Sequence, residues 1–393
     1  MKLVVIGFGQ CGGRIADEFS RLNTRARFHR RIDIVVGTFA VNTDVADLDC
    51  LSSIGTDYRH RILIGNRKTG GHGVGKANEL GAEVAREDGD KVIDAIRSLE
   101  RLYEADAFLL IAGAAGGTGS GSMPIMAQTI RERWKDKPIL SLVALPFEHE
   151  EQTAARTYYN TATCLKAVYS VTDAVFLVDN QRYIEKDSSL VNNLTAINKL
   201  IAEPFYDLLC AGEEKKGNRI GTKLLDAGDI MRTLGGWTVI GYGTSQLPTF
   251  RLPLAFQQRN HYRNKSTETH KGLHAMNQAM SNLTLNCNPR DSASALYLLS
   301  APTAEMNMGL IKELGECMNQ AAPEATLRYG DYPRGGNTLA ITLILSQLNS
   351  MEKIKQYYDK TPKIIQEEDR RQVKSEAKLS ELEDASMKVP SLL

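Results

Sequence analysis

The segment AGAAGGTGSGS, residues 112–122, limits the possible folds of this chain more than any other segment. It places a run of glycines between an apolar strand-like stretch, FLLI, and an apolar helical segment. Each glycine costs roughly 0.5–1 kcal/mol of backbone entropy relative to alanine. We expect no stabilising side-chain packing here to offset that cost. Phosphate groups need backbone N–H donors at close range, which glycine turns before a helix supply. The segment therefore predicts a phosphate cradle made of main chain.

Two further glycine-rich segments accompany it, GFGQCGGR at residues 7–14 and TGGHGVG at residues 69–75. The first, alone, equally indicates a dinucleotide-binding Rossmann unit of an NAD-dependent oxidoreductase. That alternative needs an acidic ribose ligand after the second strand, and Asp44 comes too late in the chain to provide it. Three such loops can enclose a triphosphate. No GK[ST] follows any of them, so backbone amides and a metal ion must replace the usual P-loop lysine.

The order of apolar runs and helical periodicities predicts an α/β fold in which strands and helices alternate. The length of 393 residues allows two domains. We expect a nucleotide-binding domain over 1–189, a central helix and following loop over 190–236, a second α/β domain over 237–350, and a charged helix or disordered tail over 351–393. Pro204 should bend or restart the central helix at 190–211. Other helices are expected at 78–102, 123–134, 151–171, 269–280 and 303–318.

Composition excludes several function classes. Lysine plus arginine total 48 against 47 acidic residues, which gives a net charge of +1. A chain with so little net charge has no overall electrostatic field that would attract nucleic acid or an anionic membrane. No apolar run approaches the roughly 18 residues needed to cross a bilayer, and the N-terminus does not resemble a secretory signal. The six cysteines form no CxxC pair, which argues against a zinc site or disulfide framework. We expect a cytoplasmic protein that neither binds nucleic acid nor inserts into membranes.

The glycine segments also carry a family resemblance. GGTGSGS at 116–122 is similar to the GGGTGSG signature of tubulin and to that of FtsZ, and GQCGGR at 9–14 resembles the GQCGNQ of tubulin. TGGHGVGKANELG looks more like FtsZ, and the start MKLVVIGFGQCGGR is similar to CetZ, the archaeal tubulin-like branch. The resemblance covers roughly residues 1–243 and, more loosely, the remainder. It implies the tubulin/FtsZ fold: a Rossmann-like GTP-binding domain, a long central helix and a C-terminal α/β domain.

The resemblance implies GTP or GDP with Mg²⁺ as ligands, and it assigns most phosphate contacts to three loops. Gln10 corresponds to a residue that helps to hold the magnesium ion, directly or through water. The residues around the phosphates are Gly9, Gln10, Cys11, Gly12, Gly13, Arg14, Asn42, Gly70, Gly71, Gly73, Ala114, Ala115, Gly116, Gly117, Thr118, Gly119 and Ser120.

The nucleoside contacts follow from the same resemblance. LPF at residues 145–147 matches the start of the ribose-binding loop, whose acidic residue is Glu148, Glu150 or Glu151. Spacing from Phe147 favours Glu150, although spacing back from Arg156 does not, and we take Glu150 as the ribose ligand. The remaining nucleoside-binding positions are Arg156, Asp179, Asn180 and Asn198.

Asn198 occupies the base-reading position on the central helix, where a side-chain amide can pair with guanine. An ordinary solvated asparagine is the alternative for this position. Leu194 stands one turn before it, where an aromatic residue would stack, so the stacking partner of the base stays open.

The segment LDAGDI, residues 225–230, resembles the FtsZ sequence whose two aspartates complete the active site of the next subunit. By that resemblance Asp226 and Asp229 are the catalytic residues, and hydrolysis depends on head-to-tail assembly of the protein with itself. The alternative reading is that these aspartates only cap a helix.

A polar segment at 255–272 falls where tubulin makes lateral contacts, although a solvated surface loop is the simpler reading. The C-terminus lacks the membrane-adaptor peptide often found in FtsZ. CetZ resemblance therefore implies a cytoskeletal GTPase that controls cell shape. A nucleotide-binding regulatory member without filaments is the alternative within the same superfamily.

Overall fold

The computed structural model describes residues 1–184, 190–247, 261–387 and 389, and within them ten strands form one sheet. The strands are β1 (Leu3–Phe8), β2 (Val35–Asn42), β3 (Arg61–Leu63), β4 (Ala107–Gly113), β5 (Ile139–Leu145), β6 (Ala174–Asp179), β7 (Gly236–Gln246), β8 (Ser292–Ala301), β9 (Thr326–Pro333) and β10 (Thr338–Leu348). Their order across the sheet is β3-β2-β1-β4-β5-β6-β7-β10-β8-β9.

Helices connect most of these strands, as the predicted α/β alternation requires. In chain order they are α1 (Gly9–Arg30), α2 (Val45–Asp49), α3 (Asn66–Thr69), α4 (Asn78–Arg97), α5 (Thr118–Arg133), α6 (Glu148–Thr153), α7 (Ala155–Val171), α8 (Leu190–Ala211), α9 (Ala227–Thr233), α10 (His261–Ser281), α11 (Met308–Ala321) and α12 (Glu352–Ser386).

Strand β7 joins the two halves of the chain into a continuous sheet. It pairs in parallel with β6 and antiparallel with β10, while β10 pairs antiparallel with β8. All pairings from β3 to β7 are parallel. The predicted Rossmann-like half and the second α/β half therefore share backbone hydrogen bonds in addition to the central helix.

Strand β1 shows why this sheet is covered on both faces. Val4, Ile6 and Phe8 belong to one apolar core, and Leu3 and Val5 belong to the other. Successive side chains of a strand point to opposite faces, so a continuous apolar run needs helices on both sides. Helices α4, α5 and α7 contribute to the first core, and α1 and α8 to the second. The carboxyl ends of the parallel strands then meet at one edge, where open α/β sheets bind ligands.

Several predicted helix boundaries were wrong. Helix α1 begins at Gly9, so most of the predicted first glycine loop forms the first turns of a helix. The expected helix at 151–171 is divided at Ala154, which is extended at φ −144 and ψ 112. Helix α4 ends at Arg97 instead of extending to residue 102.

The central helix α8 runs from Leu190 to Ala211 as one element with Pro204 inside it, so the helix does not restart at this proline. Proline removes one backbone donor. The neighbouring Ile201, Phe205 and Leu208 are buried in the second core, and that burial favours a continuous helix.

The predicted charged tail forms the long helix α12, whose first turns are buried at Ile354 and Tyr357. The polar segment at 255–272 lies partly outside the described residues. Its part from His261 onward belongs to α10, so a surface loop was the wrong prediction there. Within the described ranges, no helix combines the length and apolar character required to span a bilayer.

Candidate functional site

A cavity of about 430 Å³ lies at the carboxyl edge of the parallel strands. Its walls come from the ends of β1, β2, β4, β5 and β6, from the starts of the helices that follow, and from one side of α8. All three glycine segments contribute to it, through Gly9, Gly73 and Gly116 among others. The structure therefore brings the three glycine segments together at one cavity.

Two helix N-termini meet at the cavity floor. Gly9 starts α1 and Thr118 starts α5, and both residues line the cavity. Gly9 has φ +67, and a Cβ there would lie 2.9 Å from the Gly119 nitrogen, so only glycine permits this approach. Neither helix carries an acidic residue in its first turn. The first N–H groups of a helix have no partner within the helix, so these two helix starts, with their positive dipole ends, favour an anion here.

The glycines of the 112–122 segment do have a packing function, contrary to the expectation from sequence. A Cβ on Gly117 would lie 2.6 Å from Val74, one on Gly119 would lie 2.8 Å from the Phe8 oxygen, and one on Gly121 would lie 2.1 Å from the Asn78 oxygen. Close backbone contact between neighbouring elements thus requires these three. Gly116 differs, because nothing lies within 4 Å of a Cβ built there and it faces the cavity.

Buried polar contacts hold the loops around the cavity together. The Thr43 and Thr118 hydroxyls lie 2.6 Å apart, which joins the end of β2 to the start of α5. Asn160 of α7 is fully buried, and its Nδ2 donates to the Lys76 oxygen at 2.9 Å and the Ala115 oxygen at 3.0 Å. Sequence analysis missed Asn160, since a polar residue inside an apolar helix pattern gives no sign of its partners.

Asp47 is a second residue that the sequence analysis missed. Its carboxylate accepts from Gln10 Nε2 at 2.6 Å and from Asn42 Nδ2 at 3.1 Å, and all three side chains line the cavity. Asp44 caps α2 by accepting from the Asp47 nitrogen. The polar run NTDVAD, residues 42–47 at the end of β2, was the sequence feature that could have indicated Asp47 as a site residue.

Lys76 lines the cavity, although no P-loop lysine exists in the sequence. It is one of few non-glycine residues with positive φ, at 64°, among the described residues. Its position immediately after the TGGHGVG segment could have indicated this role.

The other end of the cavity suits a nucleoside. Glu150, Phe147, Asn180, Leu194 and Asn198 line it. The Glu150 carboxylate also accepts from the Phe147 nitrogen at 3.0 Å, which starts α6 and fixes that side chain at the cavity wall.

The structure separates the three candidate ribose ligands. Glu151 accepts from the Tyr158 hydroxyl at 3.3 Å, and neither Glu151 nor Glu148 lines the cavity. The choice of Glu150 is therefore consistent with the geometry.

Cys11 sits beside Glu150 on the cavity wall. Burial, with a contribution from the Glu150 charge, raises the pKa of its thiol from 9.0 to about 12. The thiol is therefore neutral at physiological pH, and its role here is to pack and not to react.

The predicted binding residues divide into two groups by their position. Those that line the cavity are Gly9, Gln10, Cys11, Arg14, Asn42, Gly73, Ala115, Gly116, Gly117, Thr118, Gly119, Glu150, Asn180 and Asn198. Those that do not line it are Gly12, Gly13, Gly70, Gly71, Ala114, Ser120, Arg156 and Asp179. Arg156 instead contacts Glu79, and Asp179 pairs with Lys353 at 2.8 Å.

Asp226 and Asp229 lie far from the cavity of their own chain. Asp226 is exposed and caps α9, accepting from the Asp229 nitrogen at 2.8 Å, as the alternative reading predicted. A Cβ on Gly212 would lie 3.4 Å from the Asp226 Cα and 3.7 Å from the Met1 nitrogen. Asp226 therefore lies near the amino end of β1, whereas the cavity lies beyond its carboxyl end. The length of β1 separates the two by roughly 20 Å.

The side-chain oxygens at the cavity also suit a magnesium ion as ligands. Mg²⁺ is usually held by one or two protein oxygens plus substrate phosphates, and seldom by an all-protein cage. Gln10, Asp44 and Asp47 supply such oxygens next to the anion site. In the described part of the chain no group of three or more His, Cys, Asp or Glu side chains forms a metal cluster. Any ion here would therefore depend on a bound phosphate.

Comparison with known families divides the chain into two parts. The GTPase domain of the Tubulin/FtsZ family matches residues 2–186, and the C-terminal domain of tubulin-like CetZ matches residues 187–362.

Individual proteins match over nearly the whole length. Tubulin-like protein CetZ1 of Haloferax volcanii is 31% identical over 368 residues, which cover 91% of this chain and 90% of that protein. The structure of that CetZ1 as a GDP-bound monomer superposes with a TM-score of 0.78 at 29% identity, covering 92% of this chain and 99% of the other. The structure of a GTPγS-bound protofilament of Haloferax volcanii CetZ2 superposes with a TM-score of 0.80 at 26% identity. The match covers 94% of this chain and 100% of the other.

Proposed function

The chain belongs to the CetZ branch of the tubulin/FtsZ family, and from its site we propose that it binds GTP, polymerises head to tail and hydrolyses GTP between subunits. The single observation that carries the proposal is the position of the two active-site halves at opposite edges of one sheet. The anion site lies at the carboxyl edge, and the segment LDAGDI, which resembles the FtsZ sequence, lies at the amino edge. The relatives' bound nucleotides and protofilament support the same reading.

The triphosphate is proposed to lie over the N-termini of α1 and α5. Backbone N–H groups there replace the P-loop, and Gly116 leaves the open space that a phosphate needs. Lys76 and Arg14 supply positive charge from the cavity wall. Gln10, oriented by Asp47, would hold Mg²⁺ together with the phosphates, and the ion would neutralise charge that develops there.

The nucleoside is proposed to extend toward α8. Glu150 would bind the ribose hydroxyls, Asn180 would contact the sugar or base, and Asn198 would pair with guanine. Leu194 and Phe147 are the apolar neighbours available to the base. Arg156 and Asp179 lie outside the cavity wall, so we assign them no direct contact.

Hydrolysis is proposed to need a second subunit. A carboxylate must come within about 3 Å of an attacking water to orient it, and Asp226 lies roughly 20 Å from its own cavity. Stacking one copy on another, carboxyl edge against amino edge, brings Asp226 and Asp229 to the neighbour's cavity. Because the two edges differ, the contact repeats without closing and produces a filament.

A role in cell shape remains the proposed cellular function, by analogy with the family. A nucleotide-binding regulatory protein that does not form filaments is the alternative. The oxidoreductase alternative does not fit the family membership.

The test combines hydrolysis rate with direct imaging. The GTP hydrolysis rate per subunit should rise with protein concentration and level off above a critical concentration, and filaments should form with GTP or a slowly hydrolysed analogue but not with GDP. A rate per subunit that is independent of concentration would contradict the proposal. Bound nucleotide without polymer under all conditions would support the regulatory alternative.

A further inference from the structure

Helix α12 touches both segments that carry the nucleoside-end residues of the cavity. Lys353, in its first turn, places Nζ 2.8 Å from Asp179 Oδ1. Asp179 is 8% exposed and directly precedes Asn180, which lines the cavity. This ion pair thus fixes the chain at the point where it enters the site.

One turn further along α12, Tyr357 contacts the other segment. Its hydroxyl donates to Glu151 Oε1, and the residue is 1% exposed. Glu151 directly follows Glu150 on the short helix α6. Burial and the Glu151 charge raise the pKa of the Tyr357 hydroxyl, so it remains a protonated donor.

The two segments are also joined to each other. Asp179 Oδ1 accepts from the Gln181 nitrogen at 3.1 Å, and the Glu148 nitrogen donates to Gln181 Oε1 at 3.3 Å. Helix α12 itself is fixed on α7, where Thr361 Oγ1 donates to the Tyr158 oxygen at 3.3 Å. Lys353 and Tyr357 therefore hold both segments as one unit against the body of the protein.

We propose that Lys353 and Tyr357 are positioning residues through which α12 controls how tightly the cavity retains guanine nucleotide. The proposal rests on the proposed function, since it assumes that guanine nucleotide occupies the cavity. A six-residue helix such as α6 has little stability of its own, so external contacts determine where Glu150 lies. Loss of those contacts frees Glu150 and Asn180 to move, which weakens binding of the ribose and speeds nucleotide release.

The experiment measures release of a fluorescent GDP from the full-length protein. Lys353→Met and Tyr357→Phe remove the two contacts with little change in volume, and Lys353→Arg preserves the charge. Lys355→Met, at an exposed position of the same helix, is the matched control. Both test variants should release GDP about tenfold faster, because each loses a hydrogen bond to a charged group. Lys353→Arg and Lys355→Met should stay near the wild-type rate.

A second readout separates positioning from general loss of stability. Because Glu150 is the proposed ribose ligand, the test variants should also reduce the difference in release rate between GDP and 2′-deoxy-GDP. A merely structural change leaves that ratio unaltered. Tyr357→Phe keeps the buried aromatic ring. The ratio of the two release rates can therefore still be measured in this variant if Lys353→Met fails to fold.

Two failures are distinguishable. Wild-type release rates and ratios in Tyr357→Phe and in folded Lys353→Met would overturn the inference while leaving the proposed function intact. Absence of GDP binding by the wild-type protein would instead refute the proposed function.

Discussion

Complementation between two inactive variants tests whether the active site is shared between subunits. Asp226→Ala leaves the cavity intact and removes the carboxylate at the opposite edge. Gly116→Leu should do the reverse, since a Cβ there meets no atom of the described residues within 4 Å and the larger side chain can extend into the cavity that Gly116 lines. Each variant alone should lose GTP hydrolysis by about 10²-fold or more, the usual contribution of a positioned acid–base group or of substrate binding.

An equimolar mixture should recover activity. A junction is productive when the cavity of an Asp226→Ala subunit meets the carboxylates of a Gly116→Leu subunit. With random incorporation that is about one junction in four, so we expect about a quarter of the wild-type rate. The separation of roughly 20 Å along β1 excludes any recovery within a single chain.

The assay is phosphate release at a fixed total subunit concentration, with sedimentation to confirm that both variants enter the polymer. Asp226→Asn mixed with wild-type protein controls for dilution effects. If the variants copolymerise and the mixture hydrolyses no faster than the sum of its parts, the trans-subunit mechanism is refuted. Full activity of Asp226→Ala alone would refute it equally.

Three further predictions concern the cavity. Glu150→Gln should reduce the preference for GTP over 2′-deoxy-GTP by about tenfold in competition binding, because a charged acceptor to the ribose is lost, whereas Glu148→Gln should not. Asn198→Ala should narrow the affinity difference between GDP and IDP by about tenfold, since the amide that pairs with guanine is removed, and an unchanged ratio would exclude Asn198 from base reading. The raised pKa of Cys11, about 12 against an ordinary 9.0, predicts that its alkylation in the native protein accelerates with pH well beyond pH 9, whereas in the denatured protein it levels off near there. The slope should be about tenfold per pH unit, measured by mass spectrometry, and a plateau near pH 9 in the native protein would contradict the burial argument.

Much of the fold followed from local patterns. The order of apolar runs and helical periodicities predicted an α/β fold in which strands and helices alternate, and the structure has that fold, with β1 supplying Val4 to one core and Val5 to the other. Helical periodicity did not predict the break at Ala154. The continuous helix through Pro204 was not predictable either, because its neighbours Ile201 and Phe205 are buried in a core that includes residues distant in sequence.

The amino-acid sequence by itself predicted a main-chain phosphate site and the family, because main-chain phosphate binding needs glycines next to strand ends and helix starts. The tertiary structure alone decided which side chains surround it. Asn160 carries no local signature, Asp47 was marked only by a polar run at the end of β2, and Glu150 could be separated from its neighbours only by its position at the cavity. The structure also showed that Gly117, Gly119 and Gly121 serve packing, while Gly116 alone of these four faces open space. A glycine pattern indicates where the backbone must adopt an unusual conformation or leave room that a side chain would occupy. Only the arrangement of neighbouring elements decides whether a ligand or another part of the chain occupies that room.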